Sequence, residues 1–414
     1  MKKKVVVIGG GIVGLSTAYY LSLEGCEVTV IDQGDMNQGA SHVNAGYLTP
    51  SHIVPMAAPG MVLKGLRWMF NPSSPFYIQP RWDKDLFKWG IKFIQSCTAS
   101  HVQRSLKTIL EINQMSKALY LEMQQTSGFD FHLETKGLLM AYQTEKAQKE
   151  ESEVVASAQQ LGLQIEHLNS QEVKALQPNI KMDIEGAYWY KSDAHSTPEL
   201  FMQNLMNVLS TMGVEFLTQC SVTNFNLSGN KIVRLSTKYG KQIKADEFVF
   251  ATGAWSTKVL KGLGIHLTIQ AGKGYRLNIT EPTGISLPAI LMEAKVAVTP
   301  MKDFTRFAGT MEISGINHTL YSHRIQAIAS AVTKYYPELS ISDLVKYQAQ
   351  CGLRPLSHDG LPYIGRHGKV SNLVLATGHA MMGWSLGPAT GKLVSELIAG
   401  KTTSLSLIPF SPER

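Results

Sequence analysis

From Lys4 to Asp32 the chain runs Lys4-Val5-Val6-Val7-Ile8-Gly9-Gly10-Gly11-Ile12-Val13-Gly14, a helix-period segment as far as Leu23, then Gly25 and a second apolar run, Val28-Thr29-Val30-Ile31, that stops at Asp32. A β-branched apolar run of this length reads as a buried parallel strand. Gly9, Gly11 and Gly14 then form G-x-G-x-x-G between strand and helix. The first glycine permits the tight turn, the second lets a pyrophosphate approach the backbone, and the third lets helix and strand pack closely. The helix N-terminus presents unpaired N–H groups to an anion. Asp32, at the end of the second strand, is placed to accept hydrogen bonds from a ribose diol. The whole is the signature of a dinucleotide-binding βαβ unit. Met1-Lys2-Lys3-Lys4 followed by apolar residues has the outline of a secretion signal, but no small-residue cleavage site follows and glycines interrupt the run, so a strand is expected here.

At 414 residues the chain is long for one core, which predicts two domains. Its mean hydropathy of −0.04 is that of a globular protein, and no uninterrupted apolar stretch is long enough to span a bilayer. Cys26, Cys97, Cys220 and Cys351 are scattered. None forms a C-x-x-C pair and no His/Cys cluster has ligand spacing, so a reduced, cytoplasmic setting without a metal is expected. The formal charge of +7 suits an anionic partner: an acidic substrate, an anionic membrane or nucleic acid.

Beyond the first unit, Gly39 to Gly46 is small, polar and loop-like, and residues 50–80 are proline-rich and irregular. Helical periodicity marks 83–126, 145–161, 198–212 and 322–336, with a last helix from about Gly387 to Ala399. Strands are expected at 137–142, 214–217, 221–227, 232–237, 248–251 and 373–376, with sheet-like alternation over 265–313. The parallel-sheet parts are split between both ends and the middle, and the inserted parts predict a second, antiparallel domain.

Several motifs now coincide. To Gly9-x-Gly11-x-x-Gly14 are added Gly39-Ala40-Ser41-x-x-Asn44-Ala45-Gly46, Ala251-Thr252-Gly253-Ala254-Trp255, Gly352-Leu353-Arg354-Pro355-x-x-x-Asp359-Gly360-x-Pro362-x-Ile364-Gly365 and Ala376-Thr377-Gly378-His379. Over essentially its whole length the chain resembles the FAD-dependent D-amino-acid oxidase and dehydrogenase family, most nearly its bacterial dehydrogenases, with glycine oxidases and hydroxyproline dehydrogenases close behind. The resemblance implies an α/β fold: a Rossmann-type FAD-binding domain (1–50, 145–180, 195–262, 345–414) and a discontinuous antiparallel-sheet, α+β substrate domain (51–144, 181–194, 263–344). It implies FAD held without a covalent bond, Cys351 being spaced wrongly for a flavin tether. By resemblance, Gly9, Gly11, Ile12, Val13, Gly14, Asp32 and Gln33 hold the pyrophosphate and adenosine ribose. Ser41 touches the phosphates, and Asn44, Ala45 and Gly46 run beside the flavin. Val222 meets the adenine, and Thr252, Gly253 and Trp255 close the nucleotide pocket. Gly378, Met382 and Gly383 precede the last helix, whose dipole faces the flavin's pyrimidine edge.

Arg354 is the expected substrate residue, because a guanidinium fork pairs bidentately with the carboxylate of an amino acid. The alternative is an arginine held in an ion pair, with Asp359 as the nearby acid. Tyr275 resembles the family's active-site tyrosine, whose hydroxyl orients substrate, and His52 and His379 could line the same cavity. Thr197 stands where the family often has an aspartate, which leaves the meaning of His195 open. The implied chemistry is hydride transfer from Cα of a small D-amino acid to flavin, the imino acid then hydrolysing to a 2-oxo acid. The electrons are expected to pass to a quinone or another carrier. The alternatives are D-hydroxyproline or D-proline dehydrogenation, glycine or sarcosine oxidation with O₂, and an RNA-modifying flavoprotein. The lysines are dispersed and no RNA module is visible, so no nucleic-acid partner is expected. Residues 64–93 combine Trp68, Phe70, Phe76, Tyr77, Trp82, Phe87, Trp89 and Phe93 with Lys64, Arg67, Arg81, Lys84, Lys88 and Lys92. Aromatics beside cations suit a headgroup interface, so peripheral contact with the inner face of the plasma membrane is expected here, against ordinary aromatic burial.

Overall fold

The structure is a computed structural model that describes residues 2–414 except Lys64, residues 66–73 and Ser127. Lys4–Ile8 and Glu27–Ile31 form as expected and pair in parallel, with Val5 opposite Val28 and Ile8 opposite Ile31. Around them stands a six-stranded sheet in the order Glu215–Leu217, Glu27–Ile31, Lys4–Ile8, Glu247–Phe250, Val370–Thr377, Tyr363–His367. All pairs are parallel but the last, which turns back antiparallel at one edge. Its strands come from both ends and the middle of the chain, so the sheet closes only when distant segments meet.

Helix Ile12–Leu23 and the last helix, Gly383–Ala399, lie against each other with unusually little between them. A Cβ on Gly387 would stand 2.6 Å from Ile12 Cγ1, and one on Gly391 would stand 2.5 Å from the Ser16 carbonyl carbon. The last helix begins at Gly383, four residues before the Gly387-Pro388 start expected from the sequence. Proline has no N–H, so inside a helix it leaves the carbonyl four residues earlier without a partner. Here that carbonyl is Trp384's, and the buried Tyr120 hydroxyl donates to it at 2.8 Å. A tertiary hydrogen bond thus replaces the missing helical one.

Tyr120 belongs to Ala99–Gln125, a 27-residue helix. The long helical stretch near 83–126 is two helices, broken at Cys97-Thr98, where the Thr98 hydroxyl caps the second by accepting from His101 N–H at 3.2 Å. One part of the long helix, with Ile112, Leu119 and Tyr120, packs in the core of the nucleotide sheet, and Leu106 and Leu110 pack in a second cluster with Tyr142 and Tyr190. The helix therefore bridges the two units.

The second sheet has nine strands. Eight follow the order Gln350–Ser357, Ile269–Ile279, Thr305–Ile313, Val296–Pro300, Ala289–Leu291, Leu138–Tyr142, Gly186–Tyr190, Ile165–Asn169, and Phe76–Ile78 pairs beside Thr305–Ile313. It is mostly antiparallel, as expected, with parallel pairs at Ala289–Leu291 and Phe76–Ile78. Two allocations change. Ile165–Asn169 pairs with Gly186–Tyr190, so this part of 145–180 lies with the second sheet. Gln350–Ser357 pairs along Ile269–Ile279, so the Arg354 strand lies there too, although the chain on either side of it reads as nucleotide-binding sequence. Hydrogen bonding across strands, which local periodicity does not encode, decides both.

Candidate active site

A cavity of about 1000 Å³ opens between the two sheets. Its floor on one side is the glycine turn. Gly9 has φ +110, its N–H donates to Ile31 O at 2.8 Å, and a Cβ there would lie 2.3 Å from the Ala251 carbonyl oxygen. A Cβ on Gly14 would lie 1.8 Å from the Gly9 carbonyl oxygen, so this position admits glycine alone. Asp32 braces the turn: Oδ2 accepts from Gly10 N–H and Oδ1 from Gly34 N–H, both at 2.7 Å. Ser41 Oγ accepts from Ile12 N–H at 3.0 Å at the start of the first helix.

The N-terminus of that helix and that of Gly383–Ala399 reach the same cavity, which Gly11, Ile12, Gly383 and Trp384 line. Each terminus carries N–H groups without intrahelical partners and the positive end of a helix dipole. The donor set, the glycine cradle and the volume fit an extended dianionic pyrophosphate with a nucleotide at each end, and so fit FAD.

Of the residues expected at the cofactor, Gly9, Gly11, Ile12, Val13, Asp32, Gln33, Ser41, Asn44, Val222, Thr252, Gly253, Trp255 and Gly383 line this one cavity. Gly14, Ala45, Gly46, Gly378 and Met382 lie within two residues of the lining and outside it. Gly14 sits behind the turn. Gly46, at φ +77, is pressed against the strand Ala194–Ser196, where a Cβ would meet the Ser196 carbonyl oxygen at 2.1 Å. Gly378, also at φ +77, abuts the Tyr363 ring.

Arg354 lines the far side of the cavity. Its hydrogen bond runs from Nη1 to the Thr310 carbonyl at 3.3 Å, and no carboxylate pairs with it among the described residues. Burial alone lowers it, to about 10, so it is a cation at neutral pH. Asp359, the acid the sequence offered as its partner, is taken by Arg414 at 2.6 Å. A half-buried guanidinium with no counter-charge among the described residues thus faces the cavity.

Two features aim it, and the sequence showed neither. Thr310 has φ +65, rare for a β-branched residue, at a bulge where Lys273 opposes Glu312 but Tyr275 opposes Gly309. The strained turn directs its carbonyl to Arg354. Gly274, on the neighbouring strand, leaves the space in which the guanidinium lies: a Cβ there would fall 1.9 Å from Nη1 and 2.4 Å from Cζ.

His379 lines the cavity, its Nε2 within 2.9 Å of Thr390 Oγ1, and burial lowers it to about 3, so it is neutral. His52 and Tyr275 lie outside the lining. His52 is half-buried, desolvation lowers it to about 4, and it sits beside the Ser51 hydroxyl at 3.2 Å. Tyr275 is fully buried, and its hydroxyl donates to Glu312 Oε2 at 2.9 Å. Burial and that carboxylate raise its pKa. The substrate contact expected of Tyr275 is replaced by a structural one. Glu312 also pairs with Lys273 at 3.1 Å and Arg324 at 3.0 Å, so the tyrosine completes a buried charge cluster behind the Arg354 strand.

The cavity also contains His42, Glu199, Arg276, His318 and Met381, which no motif marked. Glu199 pairs with the buried Arg306, whose Nη1 donates to the carbonyls of His42 at 3.0 Å and Asn44 at 2.6 Å. Arg306 thereby fixes the 42–44 loop. Its two partners lie far apart in the chain, so no local signal could have found it.

The family model for FAD dependent oxidoreductases of the DAO type matches residues 4–397. A D-amino acid dehydrogenase of Granulibacter bethesdensis is 31% identical over 409 residues, covering 97% of each chain. One from Vibrio vulnificus is 31% identical over 405 residues, covering 96% of each. The fold is that of a glycine oxidase from Geobacillus kaustophilus (TM-score 0.78, 20% identity, 100% of this chain and 99% of that one). It is also that of an L-proline dehydrogenase from P. horikoshii (TM-score 0.73, 20% identity, 100% and 97%).

Gly274→Ala tests how the arginine is aimed. The added methyl meets the tip of a flexible side chain, so the protein should fold and keep its cofactor while the guanidinium is displaced. A displacement of this size predicts a KM rise of roughly 10- to 100-fold. Adding Gly274→Ala to Arg354→Ala should change nothing further, because both act on one contact. Unchanged KM in Gly274→Ala would refute the assignment.

Proposed function

The chain belongs to the DAO family of FAD-dependent oxidoreductases, and on that footing we propose that it oxidises a small D-amino acid to the imino acid and passes the electrons to a quinone. The observation that carries the substrate class is the half-buried Arg354, without a carboxylate partner among the described residues, facing the nucleotide cavity. FAD, when bound, supplies the two-electron acceptor for a hydride leaving Cα. Arg354 grips the substrate carboxylate through two parallel N–H···O bonds and so fixes which face of Cα, with its single hydrogen, is turned toward the cofactor. Gly274 and the Thr310 carbonyl hold the fork in place. The neutral His379 adds no competing cation. The amine must be unprotonated to push electrons as the hydride departs, and no side-chain base in the cavity is needed for this. The imino acid is then hydrolysed, water adding at carbon and ammonia leaving, to the 2-oxo acid.

Mixing the yellow protein anaerobically with a panel of D- and L-amino acids should bleach its flavin with small D-amino acids. Glycine, sarcosine, D-proline and D-hydroxyproline belong in the panel, and reduction by these alone would replace the present reading with theirs. In Arg354→Ala, loss of a charge-assisted pair in a desolvated site costs about 2–5 kcal/mol, a KM rise of roughly 30-fold or more with FAD retained. Arg354→Lys should recover only part, since a point charge does not reproduce the fork. Near-normal KM in Arg354→Ala would overturn the carboxylate role.

We propose that the cofactor is held without a covalent bond. Cys351 lines the cavity, but burial raises its thiol and its Sγ lies 3.6 Å from the His318 carbonyl, so it is a weak nucleophile. Denaturation should release all the flavin, and yellow colour remaining with the polypeptide would contradict this.

We also propose that the enzyme works at the inner face of the plasma membrane, docked through the helix Lys84–Ser96. Trp89, Leu86 and Phe93 turn inward, and Trp89 Nε1 donates to Leu356 O at 3.0 Å, two residues from Arg354. Phe87, Ile91 and Ile94 turn outward at helical spacing, each more than half exposed, and Trp82 is 97% exposed. Lys84, Lys88 and Lys92 lie among them. An exposed apolar stripe beside cations, backed directly by the substrate strand, supports contact with anionic lipid and a lipid-soluble acceptor. Of the rest of the segment, Lys64, Arg67, Trp68 and Phe70 lie outside the described residues. The protein should co-sediment with anionic vesicles at low salt, and Phe87→Ser with Ile91→Ser should abolish this while sparing flavin reduction. Binding that ignores these substitutions would remove the helix from the account.

A further inference from the structure

A small three-stranded sheet joins the two units: Tyr47–Leu48, Ala194–Ser196 and Leu133–Glu134. On it His195 sits opposite Glu134, and His132 precedes that strand. The ligand atoms of His132, Glu134 and His195 all lie within 4.8 Å of one another. His195 Nε2 is 3.5 Å from Glu134 Oε2, and His132 Nε2 is 3.7 Å from Glu134 Oε1. Ligands about 2.0–2.1 Å from a tetrahedral zinc stand roughly 3.3–3.4 Å apart, so small side-chain shifts would close the set.

The observation that points to a ligand is His195 itself. Its side chain is 0% exposed; the Pro300 backbone carbonyl approaches the ring, and Nε2 completes no hydrogen bond. A buried imidazole nitrogen left without a hydrogen bond is costly, and one that faces a carboxylate and a second imidazole is arranged as a ligand. The outer shell is present as well. His132 Nδ1 lies 2.9 Å from Thr197 Oγ1, which orients the ring and leaves Nε2 toward the cluster. Lys136 holds Glu134 Oε2 at 2.9 Å from the solvent side, but it is half exposed and can yield to a dication.

We propose that His132, Glu134 and His195 bind one transition-metal dication, with Zn²⁺ as the best match, and that water completes the coordination. Two imidazoles and one carboxylate select zinc over Mg²⁺ or Ca²⁺, which favour all-oxygen sites. The site is separate from the substrate cavity, whose lining includes none of the three residues. Its role is to clamp: it ties Leu133–Glu134 to Ala194–Ser196, and the Ser196 N–H in turn donates to the Gly46 carbonyl at 2.8 Å. The metal would stiffen the strand that carries the chain out of the cofactor loop.

The test uses the flavin-loaded protein, dialysed against a chelator and titrated with ZnCl₂ by calorimetry. One saturable equivalent is expected, with a higher Tm, and none with MgCl₂. Co²⁺ should give visible ligand-field bands at the same stoichiometry. His195→Gln and His132→Ala should each weaken Zn²⁺ binding by at least about 10- to 100-fold, the loss that even outer-shell partners cause. His132 is partly exposed, so its variant decides the matter should His195→Gln fail to fold. No saturable equivalent in the unmodified protein, or undiminished binding in His132→Ala, would overturn the proposal.

Discussion

Everything in the cofactor half of this protein depends on how closely two helix N-termini can approach one another. Ile12–Leu23 and Gly383–Ala399 start about 370 positions apart in the chain, yet both open on one cavity. Side chains at Gly387 and Gly391 would hold the helices apart, and one at Gly14 would push the first helix off the turn. With glycine at all three positions, two sets of unpaired N–H groups and two dipole ends converge where an anion is to lie. The carbonyl gap that Pro388 leaves, filled by Tyr120, then anchors the long helix Ala99–Gln125 to the same point. The nucleotide core and the bridge to the second unit are thus consequences of one backbone contact.

The far side of the cavity rests on a different constraint, the cost of a half-buried cation without a counter-charge. An unpaired guanidinium is tolerable only if its position is over-determined and if an anion is due to meet it. The first condition is visible. Gly274 gives it room, Thr310 gives it a carbonyl at the expense of an unfavourable φ, and Arg414 removes the acid that would have neutralised it. Behind the strand, Lys273, Arg324 and Tyr275 converge on Glu312 and leave that carboxylate fully engaged. The arginine therefore stays available. The charge cluster behind the strand is paired around Glu312, while the guanidinium in front of it is not.

Much of the cofactor site is legible in the amino-acid sequence. Glycines at a turn, a serine at a helix start and an acid at a strand end act through local backbone geometry, which is why Gly9, Gly11, Ser41 and Asp32 can be read directly. The Leu-Arg-Pro setting singles out Arg354, which lines the same cavity. Tyr275 is not legible, because a tyrosine on a strand shows its face only once the register is known: here it points into the Glu312 cluster. Arg306, Glu199, Thr310 and Gly274 are invisible for a related reason, since each acts on a residue distant in sequence.

The chain's sequence by itself determined the nucleotide-binding turn, the discontinuous two-unit plan and the type of the helices and strands whose periodicity it shows, while strands such as Gly186–Tyr190 and Gln350–Ser357 carry no such local signal. Periodicity, glycine placement and charge are short-range properties, and they survive without a fold. Tertiary structure alone decided which sheet received Gln350–Ser357 and Ile165–Asn169, where the last helix begins, and which side chains face the cavity. It also brought ligand atoms of His132 and Glu134 to within 4.8 Å of one on His195, which lies in a distant part of the chain. Strand register and helix contact are settled by the total of long-range hydrogen bonds and buried area, and no window of sequence contains that total.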